Sequence, residues 1–289
     1  MSKENTAVTK KKIKRCKEDV VFDAACFIIL TLVLFVVAYP LYWVIISSIS
    51  APSAVSSGKV LLHPIGFTLK GYAEVFKNDQ VMRGFLNSLI ITFCGVMVNL
   101  IVTLPTSYAL SRSNFSGKKP ITIFYLITMF FGGGLIPTYL VIQRLQMLNT
   151  IWALILPGCL SVYNMIVART FFKSNISEEL YEAAEIDGCT QARFFFQIAL
   201  PLSKAIIAIL VLYYGVGHWN SYFSALVYIS DKAKYPLQLV LRNILITNQT
   251  ALSQTATTAA ARAALQEKQQ LIDVMKYSLI IISSIPVLV

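Results

Sequence analysis

Long apolar runs separated by short polar stretches dominate the chain after its first 19 residues. The runs are continuous, which favours membrane-spanning helices, because the strands of a membrane barrel alternate apolar and polar residues. A helix needs about 20 apolar residues to cross a bilayer. We therefore predict an all-α polytopic membrane protein with six transmembrane helices. The predicted spans cover residues 21–49, 85–110, 120–131, 152–172 and 202–228, and the sixth begins near residue 275.

Two of the runs depart from this simple pattern. The third breaks at Gly132–Gly134 and resumes over residues 135–142. Glycines at membrane depth leave backbone groups that need partners from protein or water. The pattern therefore indicates a helix end near the outer interface, with a re-entrant element as the alternative. The sixth run stops at Val289, short of the about 20 residues that a span needs, so we expect the last helix to be truncated.

Composition supports a membrane location, and charge sets the expected orientation. Hydrophobic residues make up 56% of the chain and charged residues 13%, whereas soluble domains have about 25% charged residues. Many of the positive residues behind the net charge of +11 lie in the first 17 positions and at span ends, as the positive-inside rule requires. We therefore expect no nucleic-acid partner. The basic tail of residues 1–19 and the loop of residues 173–203 should be cytoplasmic, and residues 229–270 should form a polar segment outside.

Motifs for catalysis and metal binding are absent from the sequence. No Gly-x4-Gly-Lys-Ser/Thr phosphate loop occurs, and neither HExxH nor GxSxG is present. An intramembrane transferase, the rival from another functional class, needs a cluster of histidines or carboxylates within reach of a span, and none is seen. We expect no catalytic residue, no metal site and no ATP site in this chain. The cysteines show neither metal-binding spacing nor a disulfide framework; they are Cys16, Cys26, Cys94, Cys159 and Cys189.

The stretch from Ser177 to Pro201 is a polar island between the fourth and fifth spans. Ser177 is placed to cap a short helix, and Gly188 is placed to terminate it. Carboxylates crowd the first turns of this helix, where the helix dipole favours them. Thr190 can cap a second short helix that ends before Pro201. The pattern predicts a compact helix–turn–helix outside the membrane, suited to docking against another protein.

Polar residues within the fourth and fifth spans form a second candidate site. Polar groups at membrane depth are costly and usually face a protein interior or an aqueous path. Aromatic faces and amides are the groups that bind a sugar, through ring stacking and hydroxyl hydrogen bonds. The alternative is that they are interfacial aromatics and ordinary interhelical hydrogen bonds. The candidate substrate-path residues are Tyr163, Asn164, Tyr213, Tyr214, His218, Trp219 and Asn220.

The polar island closely resembles the EAA loop of permease subunits in ATP-binding-cassette (ABC) importers. The matching residues are Glu182, Ala183, Ala184, Asp187, Gly188, Phe195, Leu200 and Pro201. Cys189 departs from the pattern, because alanine is commoner at its position. Segments at 108–112, 132–140 and 148–158 resemble carbohydrate permeases of the maltose-transporter type, in particular the group for aldouronates and other complex oligosaccharides. The resemblance covers nearly all of the chain after the basic tail.

The resemblance implies the type I ABC importer permease fold, with both termini on the inner side of a bacterial cell membrane. It also implies the partners: a second homologous permease, two ATPase subunits that hold ATP and magnesium, an extracytoplasmic solute-binding lipoprotein and an oligosaccharide substrate. The bilayer itself surrounds the spans. The alternative within transport is an ABC importer permease for a solute other than a sugar.

Within the resemblance, the loop of residues 173–203 couples the spans to an ATPase. Ala183 and Ala184 should allow close approach to the ATPase surface. Glu182 should offer a charge-assisted hydrogen bond. Gly188 should set the turn, and Asp187 should bond across it.

Overall fold

The computed structural model of the protein describes residues 17–251 and 259–288, and within these ranges it contains helices and no strand. Three helices are long and apolar enough to cross a membrane, and six spans result if each of three bent helix pairs counts as one. The predicted all-α polytopic fold is confirmed. Most of the basic tail of residues 1–19 lies outside the described residues. The helices in chain order are α1 (Lys17–Ser48), α2 (Pro52–Ser56), α3 (Lys70–Lys77), α4 (Asp79–Ser111), α5 (Lys118–Phe130), α6 (Leu135–Arg144), α7 (Trp152–Gly158), α8 (Val162–Asn175), α9 (Glu178–Ile186), α10 (Gln191–Leu202), α11 (Lys204–Trp219), α12 (Tyr222–Tyr228), α13 (Leu237–Ala251) and α14 (Ala259–Leu288).

Helix α4 is the central helix of the bundle and contacts α8, α11 and α13. Glycines let its neighbours approach closely, as is typical of helix packing in membranes. A Cβ atom placed on Gly95 would lie 2.5 Å from the His218 ring of α11. A Cβ atom on Gly84 would lie 3.3 Å from the Cα atom of Leu237 in α13. Side chains larger than glycine at these positions would force the helices apart.

Each bent helix pair marks an interrupted span. The bend is 114° between α5 and α6, 52° between α7 and α8, and 80° between α10 and α11. Gly134, which begins the turn into α6, has a φ angle of +87°, a conformation that glycine adopts at little cost. The break predicted at Gly132–Gly134 is therefore present, and α6 turns away from the line of α5.

Three predicted segments differ from the structure. The fifth span was predicted to reach residue 228, but α11 ends at Trp219 and α12 is a separate helix. Residues 229–270 were expected to be a polar segment, but α13 lies within them and packs into the bundle. Its first turn buries Leu237, Leu239 and Val240. This apolar group is too short to show a helical period in the sequence. The last apolar window also begins earlier than predicted, at Gln269.

Helix α1 stands out because its apolar window is not buried at all within the chain. Only its last turn is buried, around Ile46, which belongs to a small cluster with Val274 of α14. Most of the large apolar side chains before this turn are exposed, and Trp43 is half-buried against the same cluster. In a membrane protein such a surface faces lipid or another subunit.

Candidate functional site

The polar island folds into the predicted helix–turn–helix. The Ser177 hydroxyl accepts a hydrogen bond from the backbone N–H of Leu180 at 3.3 Å and so caps α9. The Thr190 hydroxyl accepts one from the N–H of Arg193 at 3.4 Å and caps α10. Both caps were predicted from the sequence, and they fix where the two helices begin. We call the end of the bundle that carries this loop the loop end, and the opposite end the far end.

Gly188 terminates α9 in a Schellman motif. Its φ angle is +78°, and its N–H donates to the Glu185 carbonyl at 3.0 Å. The N–H of Cys189 donates to the Ala184 carbonyl at 2.9 Å, which completes the motif. A Cβ atom on Gly188 would find no atom within 4 Å. Glycine is therefore required here by the backbone conformation and not by crowding within the chain.

One face of α9 and α10 is attached to the bundle through aromatic side chains. Tyr181 and Phe194 are buried, with ring centroids 5.3 Å apart in an edge-to-face arrangement. Tyr108 of α4 lies 5.0 Å from Phe195 by the same measure. Ala184 is half-buried and packs against this cluster. The cluster holds the loop in a defined position on the bundle.

The opposite face of α9 is exposed. It includes Glu182, Ala183, Asp187 and Gly188. Ile186 is 86% exposed and was not identified from the sequence. The sequence does carry a signal for this exposed position. The isoleucine stands alone between carboxylates and a helix-ending glycine, off the apolar face of the helix. The Asp187 carboxylate, expected to bond across the turn, makes no hydrogen bond to another described residue.

The remaining residues of the EAA pattern lie on α10. Phe195 is buried, Leu200 is half-buried and Pro201 is exposed. Residues Phe195–Ala199 form one turn of π-helix just before the proline. The loop therefore splits into an attached face, with Ala184 and Phe195, and an exposed face around Ile186.

Three buried members of the candidate substrate path, Tyr214, His218 and Trp219, bind other helices. The Tyr214 oxygen lies 2.8 Å from the Thr103 hydroxyl and accepts from the Ser161 N–H at 3.2 Å. The Trp219 indole donates to the Ser283 carbonyl of α14 at 2.8 Å. These side chains make interhelical hydrogen bonds, the alternative stated for them above.

His218 belongs to a short chain of hydrogen bonds inside the bundle. Its Nε2 atom lies 2.7 Å from the Asn99 amide oxygen, and the Asn99 amide nitrogen donates to the Gly158 carbonyl at 2.7 Å. Since an amide oxygen only accepts, Nε2 carries the proton. Asn99 and Tyr214 thus satisfy backbone groups on both sides of the break between α7 and α8.

Other candidate path residues are placed differently. Tyr163, Tyr213 and Asn220 are exposed on the chain, and Asn164 is buried. Tyr213 and Tyr214 therefore point to different surroundings although they are neighbours in sequence. The structure does not bring the seven path residues together into one site.

The described residues hold no group of three or more His, Cys, Asp or Glu side chains that could bind a metal ion. The four cysteines within the described ranges are free thiols; they are Cys26, Cys94, Cys159 and Cys189.

Comparisons with known proteins extend the similarity well beyond the loop. No family model matches the chain. The chain is 34% identical to the polygalacturonan/rhamnogalacturonan transport system permease protein YtcP of Bacillus subtilis (strain 168), over 92% of this chain and 91% of that protein. It is 37% identical to Protein LplC of the same organism, over 93% of this chain and 88% of that protein. Its fold matches a chain of a bacterial ABC transporter involved in the import of the acidic polysaccharide alginate, with a TM-score of 0.85, 26% identity and 95% coverage of both chains.

Proposed function

Because the chain belongs to the permease subunits of ABC sugar importers, we propose that it forms half of an oligosaccharide translocation path and is driven through its EAA loop by an ATPase subunit. Members of this family are transport proteins and not enzymes. The observation that carries the coupling role is the exposed surface formed by Glu182, Ala183, Ile186, Asp187 and Gly188, which we call the docking surface.

The docking surface has the chemistry of a protein contact. Ile186 offers an apolar anchor, and the carboxylates of Glu182 and Asp187 beside it offer charge-assisted hydrogen bonds. The small side chain of Ala183 leaves room for a partner to approach closely beside Ile186. Ala184, by contrast, packs inward, so its small size serves the attachment of the loop. ATP and magnesium bind to the partner ATPase in this proposal, since the sequence lacks a phosphate loop.

The loop end faces the cytoplasm in this proposal, and the N-terminus lies on the same side. The support is charge, because the basic tail of residues 1–19 adds to the cationic residues near the span ends on this side, and such an excess favours the cytoplasmic side. The far end then faces outward and meets the extracytoplasmic solute-binding lipoprotein. The cationic residues of the loop end are Arg112, Lys118, Lys119, Arg169, Lys173, Arg193 and Lys204.

A second homologous permease completes the path in this proposal, and two ATPase subunits serve the pair. The exposed flank of α1 provides surface for that contact. The pair works in a bacterial cell membrane. Oligosaccharides are the proposed substrates because YtcP is named for polygalacturonan and rhamnogalacturonan, and the fold neighbour for alginate import. Tyr213 and Tyr163 are the residues of this chain most available to a sugar.

The test is Gly188→Asp in the complex assembled from both permeases, the ATPase and the binding protein. An aspartate at positive φ costs about 1–2 kcal/mol and projects a side chain from the docking surface. We expect the variant to remain in the membrane but to lose co-purification of the ATPase and sugar uptake. Ile186→Asp, which keeps the backbone conformation, should have the same effect.

Gly58→Asp is the matched control. Gly58 has a φ angle of +68°, and a Cβ atom placed on it would find no atom within 4 Å. Its backbone cost therefore equals that of Gly188, but it lies at the far end. This variant should retain the ATPase. If Gly188→Asp and Ile186→Asp both keep the ATPase and full uptake, the docking role is refuted.

A further inference from the structure

Arg112 links the docking helix α9 to the end of α4. It directly follows α4, and its guanidinium Nη2 atom lies 3.0 Å from the Glu178 Oε1 atom at the start of α9. The guanidinium carbon lies 3.9 Å from the centre of the Tyr181 ring, one turn along α9. The same Glu178 oxygen accepts a hydrogen bond from the Ser113 hydroxyl at 2.6 Å. Two residues at the end of α4 therefore hold two residues of α9.

Burial makes this contact stronger than an ordinary surface ion pair. The Arg112 side chain is only 13% exposed, whereas Glu178 is 40% exposed. Shielding from water strengthens both the charge pair and the stacking on the ring. For comparison, the ion pair between Lys77 and Glu74 lies within one helix, and its lysine is 72% exposed. Such an exposed pair contributes little.

The α4 end of the link continues into contacts with the rest of the bundle. Tyr108 lies one turn before Arg112 and packs against the aromatic cluster of α10. The Ser107 hydroxyl donates to the Met165 carbonyl of α8 at 3.0 Å, and Thr103 bonds to Tyr214 of α11. A displacement of α4 along its axis would therefore act on α8 and α11 directly.

We propose that Arg112 is a positioning residue for transport: it makes α4 follow the displacement of α9 when an ATPase moves the docking surface. This inference rests on the coupling role proposed above. Without the link, α9 would act on α4 only through the packing of Tyr108 in the aromatic cluster, and on the rest of the bundle through its chain connections to α8 and α10. The geometry explains why arginine stands here, since lysine carries the charge but lacks the planar group that stacks on Tyr181.

The experiment measures whether α4 moves. Spin labels are placed at Gln80, at the far end of α4, and at Lys59, both exposed, in a cysteine-free chain within the complete transporter. Their separation is compared between the nucleotide-free complex and the complex trapped with ATP and vanadate, which requires no knowledge of the sugar. We expect a nucleotide-dependent shift in the parent complex. A link of this kind corresponds to a coupling of about tenfold in the population of the shifted state.

Arg112→Lys and Glu178→Gln should reduce the population of the shifted state about tenfold, while the nucleotide-free separation and the co-purification of the ATPase stay unchanged. The matched control is Glu179→Gln, which removes the next carboxylate along α9, an exposed one, and should keep the shift. Exchanging the charges in Arg112→Glu with Glu178→Arg should restore part of it. A purely structural role would instead change the nucleotide-free separation.

Three outcomes would overturn the proposal: no shift in the parent complex, a full shift in the Arg112 and Glu178 variants, or loss of the ATPase from those variants. The last would place Arg112 in docking itself. Failure of the docking proposal is seen separately, because it requires Gly188→Asp to keep both the ATPase and uptake.

Discussion

Helices α1 and α4 look alike in sequence and have opposite places in the structure. They have 32 and 33 residues, each contains one proline, and both are long and apolar enough to span a membrane. Within their most apolar windows, 28% of the residues of α4 are buried inside the chain and 0% of those of α1. Hydrophobicity alone did not bring α4 into the centre of the bundle.

The difference lies in the polar and small residues of α4. Lipid tails are as apolar as leucine, so helices in a membrane associate through close packing and hydrogen bonds. Five polar side chains of α4 bind another helix or a loop: Asn87 binds the Ala233 and Tyr235 carbonyls, Ser88 the Leu237 N–H, Asn99 the Gly158 carbonyl and His218, Thr103 the Tyr214 hydroxyl, and Ser107 the Met165 carbonyl. The middle of α1, from Phe27 to Val37, is apolar apart from Thr31. A membrane helix is therefore placed in the core by the few residues that are not hydrophobic.

The largest effect on stability is expected from a substitution at Gly95, where the His218 ring lies against α4. Gly95→Leu forces a side chain into the His218 ring, and overpacking of this kind costs about 1–3 kcal/mol or more. We expect a clear drop in the thermal unfolding midpoint of the purified protein in detergent. Gly217→Leu is the control, because Gly217 on α11 is exposed and has no atom within 4 Å of its Cβ position. Equal destabilisation by both variants would contradict the claim that close packing at Gly95 holds α4 in the centre of the bundle.

The second largest effect on stability is expected from removing the Asn99 amide, which joins α4 to α7 and α11. Asn99→Leu keeps the number and branching of the side-chain heavy atoms but leaves the Gly158 carbonyl and the His218 ring without partners. Loss of two interhelical hydrogen bonds should cost about 1–2 kcal/mol of unfolding free energy, which steric trapping in bicelles can measure. Asn220→Leu, which removes an exposed amide bonded within its own helix turn, should cost much less. A reversed order would contradict the comparison.

Removing one hydroxyl group should have a smaller effect. Tyr214→Phe loses the contacts with Thr103 and the Ser161 N–H and should cost about 0.6–1.7 kcal/mol. Tyr213→Phe, the neighbouring exposed tyrosine, is the matched control and should leave the unfolding free energy unchanged. If the two variants are equally stable, the hydrogen bonds of Tyr214 contribute nothing to placing α11 on α4.

The smallest effect is expected on α1. Phe35→Leu alters a side chain that is 70% exposed, so the unfolding free energy of the isolated chain should not change measurably. The same thermal measurement checks this. Destabilisation comparable to that of Tyr214→Phe would show that the middle of α1 packs on its own chain, and the contrast with α4 would fail.

Local features of the loop were predictable because their causes lie close in sequence. Ser177 and Thr190 precede the helices they cap, and Gly188 follows the helix it ends. The spacing of the residues in this loop matches that of the EAA loop, and this match indicated the family. The break at Gly132–Gly134 was likewise readable from three adjacent residues.

Features that depend on distant pairing were not predictable. Arg112 and Glu178 are 66 positions apart, and nothing in either segment indicates the other. His218 and Asn99 are 119 positions apart. The direction of a small side chain around a short helix was also beyond the sequence, as the exposed Ala183 and the inward Ala184 show. A hydrophobic period cannot be read from a single turn, so the burial of Leu237 in a polar segment was missed as well.

The spacing of the contacts between α4 and α11 has a geometric consequence for sliding. Thr103 pairs with Tyr214, and Asn99 pairs with His218. The two partners on α4 are four residues apart, and so are the two on α11, which runs antiparallel to α4. A shift of α11 by one helical turn, about 5.4 Å, would place Tyr214 beside Ser107 and His218 beside Thr103. Each polar group would again face a polar group, whereas any intermediate displacement would leave both without partners inside the bundle. The two helices thus form a ladder in which a whole-turn step in this direction retains polar pairing and a fractional step does not.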